Sequence, residues 1–273
     1  MVDETVPAEI PPSPESASPN GAAPVVLRCE GIVKWFGGVQ SLGGVSLSLR
    51  AGEVMAIVGD NGAGKSTLVK TLSGIHQPDD GKIWLGEEQL EHLTPTKARD
   101  LGIETVYQDL ALCDNLDAVA NVVLGQEPVR FRIGPVKFID KRAASRLARQ
   151  RLTEVGTRIA DFDVSVHRLS GGQRQAVAIA RAMMNARRVM MLDEPTAALG
   201  VKQTAETLGV IRSVAAGGIG VIVITHNIAD VFAVADRIIV LRLGKVALDA
   251  VASRTDPETV VGYITGGRSG ALT

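Results

Sequence analysis

One short segment constrains the fold of this sequence more than any other. The segment Gly59–Ser66 reads GDNGAGKS, matches the pattern GxxxxGK[ST] and directly follows the apolar run Val54–Val58. Glycines let backbone N–H groups point at a phosphate, and a helix that starts after the loop presents its positive end to the same group. The segment therefore predicts a phosphate-binding loop between a buried strand and a helix that begins near Lys65.

The loop supplies a first set of candidate site residues. Lys65 would reach the β- and γ-phosphates of a nucleotide, and the Ser66 hydroxyl would coordinate magnesium. An ordinary strand–helix turn with a surface lysine is the alternative interpretation. The residues expected around the phosphates are Gly59, Asp60, Asn61, Gly62, Ala63, Gly64, Lys65, Ser66 and Thr67.

Short apolar runs alternate with helix-length amphipathic segments along the chain. This alternation predicts an α/β fold with a mainly parallel sheet that is covered on both faces by helices. The predicted strands are Val54–Val58, Val189–Leu192, Val221–Ile224 and Ile238–Leu241, and the predicted helices between the later strands are Val201–Val214 and Ile228–Ala235.

Residues from about 94 to 184 differ from this pattern because they contain few strand-like runs. The segment Arg142–Val155 places Ala144, Ala148, Leu152 and Val155 on one helical face, so we expect a mainly helical subdomain inserted in the α/β core. The arginines of this segment could form a nucleic-acid or lipid patch, but a solvated helix face is the better interpretation. They are Arg142, Arg146, Arg149 and Arg151.

Composition excludes several classes of protein. The net charge of −1 argues against a nucleic-acid binder that works through bulk positive charge, and no apolar run approaches the roughly 18 residues of a membrane-spanning helix. The two cysteines, Cys29 and Cys113, form no CxxC pair, which fits a reducing cytosol.

Residues 1–24 hold six of the twelve prolines and no secretory signal, so they predict a disordered tail. We expect the folded domain at residues 25–266 and a flexible tail at residues 267–273.

Two carboxylates follow the apolar run Val189–Leu192. In a metal-assisted phosphoryl transfer, Asp193 would hold magnesium directly or through water, and Glu194 would polarise the attacking water. Acidic pairs at strand ends are common, and a role in starting a helix is the alternative. Together with the phosphate-binding loop, the pair predicts nucleotide hydrolysis.

A second helix start has the features of an anion site. Ser170 and Gln173 form a potential capping box, and the bare backbone of Gly171 and Gly172 leaves the helix start open. The local alternative is a capped helix whose glycines only weaken its first turn. Two phosphate-binding helix starts in one chain suggest that two copies clasp nucleotides between them.

On these motifs the chain resembles the ATP-binding cassette (ABC) ATPases. Besides the phosphate loop, it has the signature LSGGQ at Leu169–Gln173 and the segment LDEP at Leu192–Pro195. Gln108, His226 and Phe36 occur where the family places a loop glutamine, a strand-end histidine and an aromatic residue, and the set spans Val25 to about Gly266. Taken alone, each of these three residues would be interpreted as structural.

The resemblance implies a P-loop NTPase core with an N-terminal antiparallel β portion, an inserted helical subdomain, ATP and Mg²⁺ as cofactors, and a head-to-tail dimer. In each composite site Phe36 would stack on adenine, Glu194 would orient water and His226 would contact the γ-phosphate. Magnesium would be attended by Ser66, Gln108 and Asp193. The signature residues that arrive from the opposite subunit, a second copy or a related cassette, would be Ser170, Gly171, Gly172 and Gln173.

Flanking segments are similar to the ATPase subunits of bacterial importers for monosaccharides of the ribose, xylose and fructose type. With one phosphate loop, the chain resembles the single-cassette members, which serve a membrane permease at the cytoplasmic face of the membrane and act with a separate sugar-binding protein. Amino-acid importers share parts of these segments, and a cassette acting on nucleic acid or a scaffold without turnover are more distant alternatives. Gly200 departs from the family, which usually has Asp there, so that residue's role across the dimer is not carried over.

Overall fold

The structure is a computed structural model that describes residues 23–156, 159, 161–162, 164–197 and 199–268. The tail predicted at residues 1–24 therefore lies outside the described residues except for its last two positions. The same holds for residues 269–273 of the predicted C-terminal tail.

The described residues form mostly strands in the first third of the chain, mostly helices in the middle third, and strands alternating with helices in the last third. The strands are β1 Val25–Phe36, β2 Val39–Arg50, β3 Val54–Val58, β4 Asp80–Leu85, β5 Glu88–Gln89, β6 Ile103–Val106, β7 Val129–Ile133, β8 Val136–Ile139, β9 Val189–Asp193, β10 Gly220–Ile224, β11 Arg237–Arg242 and β12 Lys245–Val251. The α-helices are α1 Lys65–Leu72, α2 Pro95–Asp100, α3 Ala118–Val123, α4 Lys141–Glu154, α5 Gly171–Ala182, α6 Val201–Ala216, α7 Ile228–Val234 and α8 Pro257–Thr265. None of these helices is both long and apolar enough to cross a membrane.

A six-stranded sheet in the order β12-β11-β3-β10-β9-β6 forms the centre of the fold. All neighbouring pairs except β11–β12 are parallel. Every residue of β3 and β10 is buried, which is the burial expected of parallel strands covered on both faces. The predicted parallel α/β core is confirmed, and a four-stranded antiparallel sheet in the order β2-β1-β4-β5 confirms the predicted N-terminal β portion.

The strand β3 shows how the core is divided by the sheet. Met55 and Ile57 pack with the antiparallel sheet and α1, whereas Val54 packs with the cluster around α5 and α6. Ala56 and Val58 join a third cluster with α7 and α8. The residues of β3 therefore pack against helices and against the antiparallel sheet on opposite faces of the central sheet. The loop that follows β3 is held on a rigid support.

The segment at residues 94–184 contains more strands than its sequence predicts. The helices α3, α4 and α5 pack together, and Ala144, Ala148 and Leu152 are buried on α4 as the periodicity predicts. However, β6 pairs with β9 in the main sheet, and β7 and β8 form an antiparallel hairpin. The sequence does not predict these three strands, because β6 is short and partly polar and because apolar and basic residues alternate in the hairpin.

Candidate nucleotide site

The backbone of the segment Gly59–Ser66 requires glycine at several positions. Gly59, Gly62 and Gly64 have φ angles of +155°, +79° and +103°, in the region that L side chains rarely adopt. A Cβ atom on Gly59 would collide with the carbonyl oxygen of Leu241, and one on Gly64 would lie 2.7 Å from the carbonyl oxygen of Ser41. The loop therefore approaches neighbouring backbone too closely for a side chain at Gly59 or Gly64, whereas at Gly62 the positive φ alone favours glycine.

Lys65 folds back over the opening of this loop. Its Nζ atom donates to the carbonyl oxygens of Gly59 at 2.8 Å and of Asp60 at 3.0 Å. Thr67 in the first turn of α1 accepts a hydrogen bond from the hydroxyl of Ser41 on β2 at 2.8 Å. The positive charge thus lies at the N-terminus of α1, where an anion is most strongly stabilised.

The side chains of Ser66, Gln108 and Asp193 line one open cleft of about 560 Å³ beside the loop. A hydrogen bond of 3.0 Å from the hydroxyl of Tyr107 to Ser73 Oγ fixes the turn before Gln108. A hydroxyl, an amide oxygen and one carboxylate are a fitting partial ligand set for Mg²⁺, which takes oxygen ligands and usually completes its shell with water and substrate phosphates. No group of three or more His, Cys, Asp or Glu in the described residues could hold a metal without such help.

Two carboxylates line this cleft, those of Asp109 and Asp193. Burial raises the pKa of Asp193, and the neighbouring charge of Glu194 raises it further, while Lys65 and Lys70 lower it. Desolvation is the larger cause, so the carboxylate lies in a position where a cation would replace lost hydration. This position favours binding of a divalent metal.

Glu194 and His226 form a pair next to the cleft. The Nδ1 atom of His226 lies 2.9 Å from Oε1 of Glu194, and the Glu194 side chain is 14% exposed, whereas that of His226 is 74% exposed. Glu194 has a φ of +52°, and its N–H donates to the carbonyl oxygen of Ile224 at 2.8 Å. The pair is therefore fixed at its carboxylate end and open to solvent at its imidazole end.

Phe36 stands at the end of β1 with 46% of its surface exposed. Its ring contacts His76 edge-on with centroids 5.2 Å apart, and Lys34 Nζ lies 5.8 Å from the ring centroid. Asp79 accepts a hydrogen bond from that ammonium at 2.9 Å. The arrangement leaves part of an aromatic face available for stacking.

The signature segment lies in a different place from the cleft. Ser170 caps α5 in a capping box with Gln173, with 3.3 Å between the Gln173 N–H nitrogen and Ser170 Oγ. Ser170, Gly172 and Gln173 line a pocket of about 400 Å³ together with Lys202 and Gln203, and no residue lines both this pocket and the cleft. The structure therefore keeps the two predicted anion sites of one chain apart.

Gln203 is a site feature that the sequence does not reveal. A Cβ atom on Gly172 would lie 2.7 Å from Cγ of Gln203, and one on Gly200 would lie 2.6 Å from its Oε1. Gln203 thus packs against both glycines, and Gly200 begins α6 without a side-chain cap. Only the three-dimensional fold brings the start of α6 to the signature, so no local pattern could have identified this contact.

The four segments of the first site all follow neighbouring parallel strands. Gly59 follows β3, His226 follows β10, Asp193 and Glu194 end β9, and Gln108 follows β6, while the strand order is β3-β10-β9-β6. Carboxyl ends of parallel strands lie at the same edge of the sheet, where α/β proteins bind their ligands. Fold and loop together define a nucleotide-binding protein of the P-loop class.

Comparison with known proteins gives the family. The family model described as "ABC transporter" matches residues 42–197. The chain is 42% identical over 240 residues to the xylose/arabinose import ATP-binding protein XylG of Sulfolobus acidocaldarius, covering 88% of this chain and 94% of that protein. It is 43% identical over 223 residues to the fructose import ATP-binding protein FrcA of Rhizobium meliloti, covering 81% and 86%. The chain therefore belongs to the ABC transporter family.

Solved structures agree with this assignment. The ADP conformation of MJ1267, an ATP-binding cassette of an ABC transporter, matches with a TM-score of 0.73 and 25% identity, covering 88% of this chain and 95% of that one. A dimeric post-hydrolysis state of the cassette MJ0796, bound to ADP and Pi, matches with a TM-score of 0.70 and 27% identity, covering 83% and 98%. The P-loop NTPase architecture expected from the sequence is confirmed.

Proposed function

We propose that this chain is the ATP-hydrolysing, energy-coupling subunit of an ABC importer for a monosaccharide. The observation that carries the proposal is the meeting of the Lys65 loop, the Ser66–Gln108–Asp193 cleft and the Glu194–His226 pair at one edge of the sheet. The relatives XylG and FrcA, named for import of xylose, arabinose and fructose, support the sugar as cargo. Importers of amino acids or other small solutes are the alternative.

The loop residues bind the triphosphate in this proposal. The Lys65 ammonium, now hydrogen-bonded to two loop carbonyls, turns to the β- and γ-phosphates, and the N–H groups from Gly59 to Thr67 surround them. Phe36 stacks on the adenine ring. Ser66, Gln108 and Asp193 would hold Mg²⁺, which would neutralise phosphate charge in phosphoryl transfer.

Glu194 orients the attacking water and accepts its proton. Its mostly buried side chain is positioned by the backbone hydrogen bond from its N–H to the Ile224 carbonyl and by the contact of its carboxylate with His226. His226 is mostly exposed, so its imidazole can contact the γ-phosphate when the site fills. The carboxylate position is therefore set before the nucleotide binds, as a general base requires.

The separation of the signature pocket from the cleft supports a two-copy mechanism. On their own subunit Ser170 and Gly171 are exposed and Gly172 and Gln173 are partly exposed, so a second copy, or a related cassette, would bring these signature residues to the γ-phosphate. Closure then depends on the γ-phosphate, and hydrolysis removes the group that bridges the halves. The dimeric cassette structures among the structural relatives support this arrangement.

A groove between the Gln108 turn and the helical segment supports docking on a permease. Thr105, Tyr107, Leu124 and Arg181 are among the residues that line this groove of about 450 Å³. Integral membrane permease subunits would place short helices here, which puts this chain at the cytoplasmic face of the membrane, and a separate sugar-binding protein would act with it only indirectly. Nucleic acid has no role in this proposal.

Glu194→Gln is the decisive variant. It keeps the size of the side chain and removes the base, so ATP turnover of the purified protein should fall by about 10²–10⁴-fold, or roughly 2.7–5.5 kcal/mol of activation free energy. ATP should still bind, and the slowed variant should form an ATP-dependent dimer by light scattering. Glu258→Gln on α8 is the matched control and should leave turnover unchanged. Near-parental turnover of Glu194→Gln would refute the assigned role.

The cargo is tested separately from the ATPase. The chain is co-purified with its membrane partners and reconstituted, and sugars and amino acids are screened for stimulation of ATP turnover. Stimulation by a monosaccharide is the expected result. If an amino acid stimulated turnover while sugars did not, the cargo class would be wrong and the ATPase mechanism would stand.

A further inference from the structure

The β7–β8 hairpin carries an unusual concentration of exposed apolar side chains. Every residue of both strands is exposed, and the rings of Phe131 and Phe138 stack across the hairpin with centroids 4.5 Å apart and planes at 19°. The exposed large hydrophobic residues of the hairpin are Val129, Phe131, Ile133, Val136, Phe138 and Ile139. An isolated two-stranded hairpin is marginally stable in water, so this element is built to pack on something else.

The two faces of the hairpin differ in chemistry. Phe131 pairs with Phe138 and Ile133 with Val136, so these side chains share one face. Arg132 pairs with Lys137 on the opposite face, and Arg130 lies beside them at the break in register between Val129 and Phe131. The sequence from 128 to 139 contains no Asp or Glu. The hairpin therefore has an apolar face and, behind it, a basic side without any acidic residue.

This combination selects one kind of partner. No salt bridge in the described part of the chain involves Arg130, Arg132 or Lys137, so their charges have no internal counter-charge. An apolar face backed by Lys and Arg is typical of elements that lie in the headgroup region of a bilayer, where long basic side chains reach back to the phosphates. A protruding ribbon suits such a planar surface better than it suits a concave protein groove.

The position of the hairpin agrees with a membrane partner. It begins three residues after Gln126, which lines the groove assigned above to the permease together with Leu124. We propose that the β7–β8 hairpin docks this subunit on the anionic cytoplasmic surface of the lipid bilayer beside its permease. The inference rests on the proposed function, because only a subunit held at the membrane would use such a contact.

Vesicle co-sedimentation of the full chain tests the proposal. Vesicles of equal parts phosphatidylglycerol and phosphatidylcholine should bind the protein, and vesicles of phosphatidylcholine alone should bind it far less. Replacing Arg130, Arg132 and Lys137 together by Gln should weaken binding to the anionic vesicles by about a hundredfold, since each cation contributes roughly a factor of five near such a surface. High salt should weaken the binding of the parental protein in the same direction.

A second variant tests the apolar face. Phe131→Ser with Phe138→Ser should weaken binding to the anionic vesicles by more than about tenfold, because each ring loses its burial in the interface. Val251→Ser with Val261→Ser removes exposed apolar side chains elsewhere and is the matched control, expected to bind as the parental protein does. ATP turnover without vesicles should be unchanged in all three variants, because the hairpin lies outside the nucleotide site.

Two results would overturn the proposal. One is equal binding of the parental protein and both hairpin variants to anionic vesicles. The other is intact vesicle binding by the variants with loss of co-purification with the permease, which would assign the hairpin to a protein contact. Turnover in vesicle-free solution and its loss in Glu194→Gln report on the ATPase separately, so failure of the lipid contact is distinguishable from failure of the proposed function.

Discussion

Glu194 is a carboxylate held in place by a strained backbone. Left-handed conformations cost non-glycine residues of order 1–3 kcal/mol, and they persist where surrounding contacts over-determine them. Here the contacts are the hydrogen bond to Ile224 and the 2.9 Å approach of His226. The strain turns the chain sharply after β9, so that Asp193 and Glu194, although adjacent, have different surroundings and can serve different roles.

The two cysteines should differ sharply in reactivity. Cys29 is 1% exposed, and burial raises the pKa of its thiol to about 12, whereas Cys113 is partly exposed. The thiolate is the reactive species, so Cys29 should be inert near pH 8. We expect iodoacetamide to add one group to the folded protein, at Cys113, and two groups after unfolding in guanidinium, as measured by mass spectrometry. Labelling of Cys29 in the folded protein at the rate of Cys113 would contradict this prediction.

At the scale of single elements, α5 connects the signature to the Gln108 turn. Its first turn contains Gly171 and Gly172, and near its end Arg181 donates to the carbonyl oxygens of Leu110 and Ala111, each at 2.7 Å. Leu110 and Ala111 have φ angles of +58° and +46°, which is unusual for two consecutive non-glycine residues. One helix therefore holds a kinked loop at one end and an anion site at the other.

Arg181→Leu should destabilise the protein through this kink. The variant leaves two carbonyl groups without their charged donor, so the free energy of unfolding should fall by about 1.5–3 kcal/mol in urea denaturation. The free energy of unfolding of Arg181→Lys should lie between those of the parental protein and Arg181→Leu. One ammonium cannot reproduce a two-pronged guanidinium contact. Arg146→Leu on the exposed face of α4 is the control and should stay within about 0.5 kcal/mol of the parental protein. If Arg181→Leu lost no more than the control, the backbone at Leu110 and Ala111 would keep its conformation without this arginine.

The elements that the sequence predicts well are those whose burial is uniform. The strands β3, β9, β10 and β11 are continuously apolar, and the structure confirms them within a residue or two of their predicted ends. The sequence does not predict the edge strand β6 or the hairpin, because β6 has only two apolar residues and because basic residues interrupt the apolar ones of the hairpin. The sequence predicts that Ser66, Gln108 and Asp193 lie close together, because the carboxyl ends of parallel strands lie at one edge of a sheet. It does not predict the positive φ of Glu194 or the contact of Gln203 with Gly172, because both depend on residues distant in sequence.

At the scale of the whole molecule, Arg237 joins the two sheets. It lies on β11, forms a two-pronged ion pair with Asp249 on β12, and donates to the carbonyl oxygen of Ser48 on β2 at 3.0 Å. Glu53 lies 3.7 Å from the same guanidinium. Burial raises the pKa of Glu53 and the charge of Arg237 opposes that rise, so Arg237 reduces the destabilisation from a half-buried carboxylate.

Arg237→Met should destabilise the fold more at neutral than at acid pH. A carboxylate with a raised pKa lowers stability as the pH rises through that pKa, and removing Arg237 enlarges this loss for Glu53. Near pH 7 we expect a loss of about 2–4 kcal/mol from the missing ion pair and hydrogen bond, and a smaller loss near pH 4. Urea denaturation at both pH values measures the difference, with Arg237→Lys as the charge-preserving control. An equal loss at both pH values would show that packing rather than charge dominates.

The capping box at Ser170 has a consequence for how the molecule resets. The hydroxyl oxygen that lines the signature pocket already accepts a hydrogen bond from the backbone N–H of Gln173 at 3.3 Å, and the same hydroxyl can donate its own proton to an anion. The cap and the anion therefore use different sides of one group. Because the cap holds the serine in one orientation beforehand, the donor needs little reordering when an anion arrives, and the helix start keeps its shape when the anion leaves.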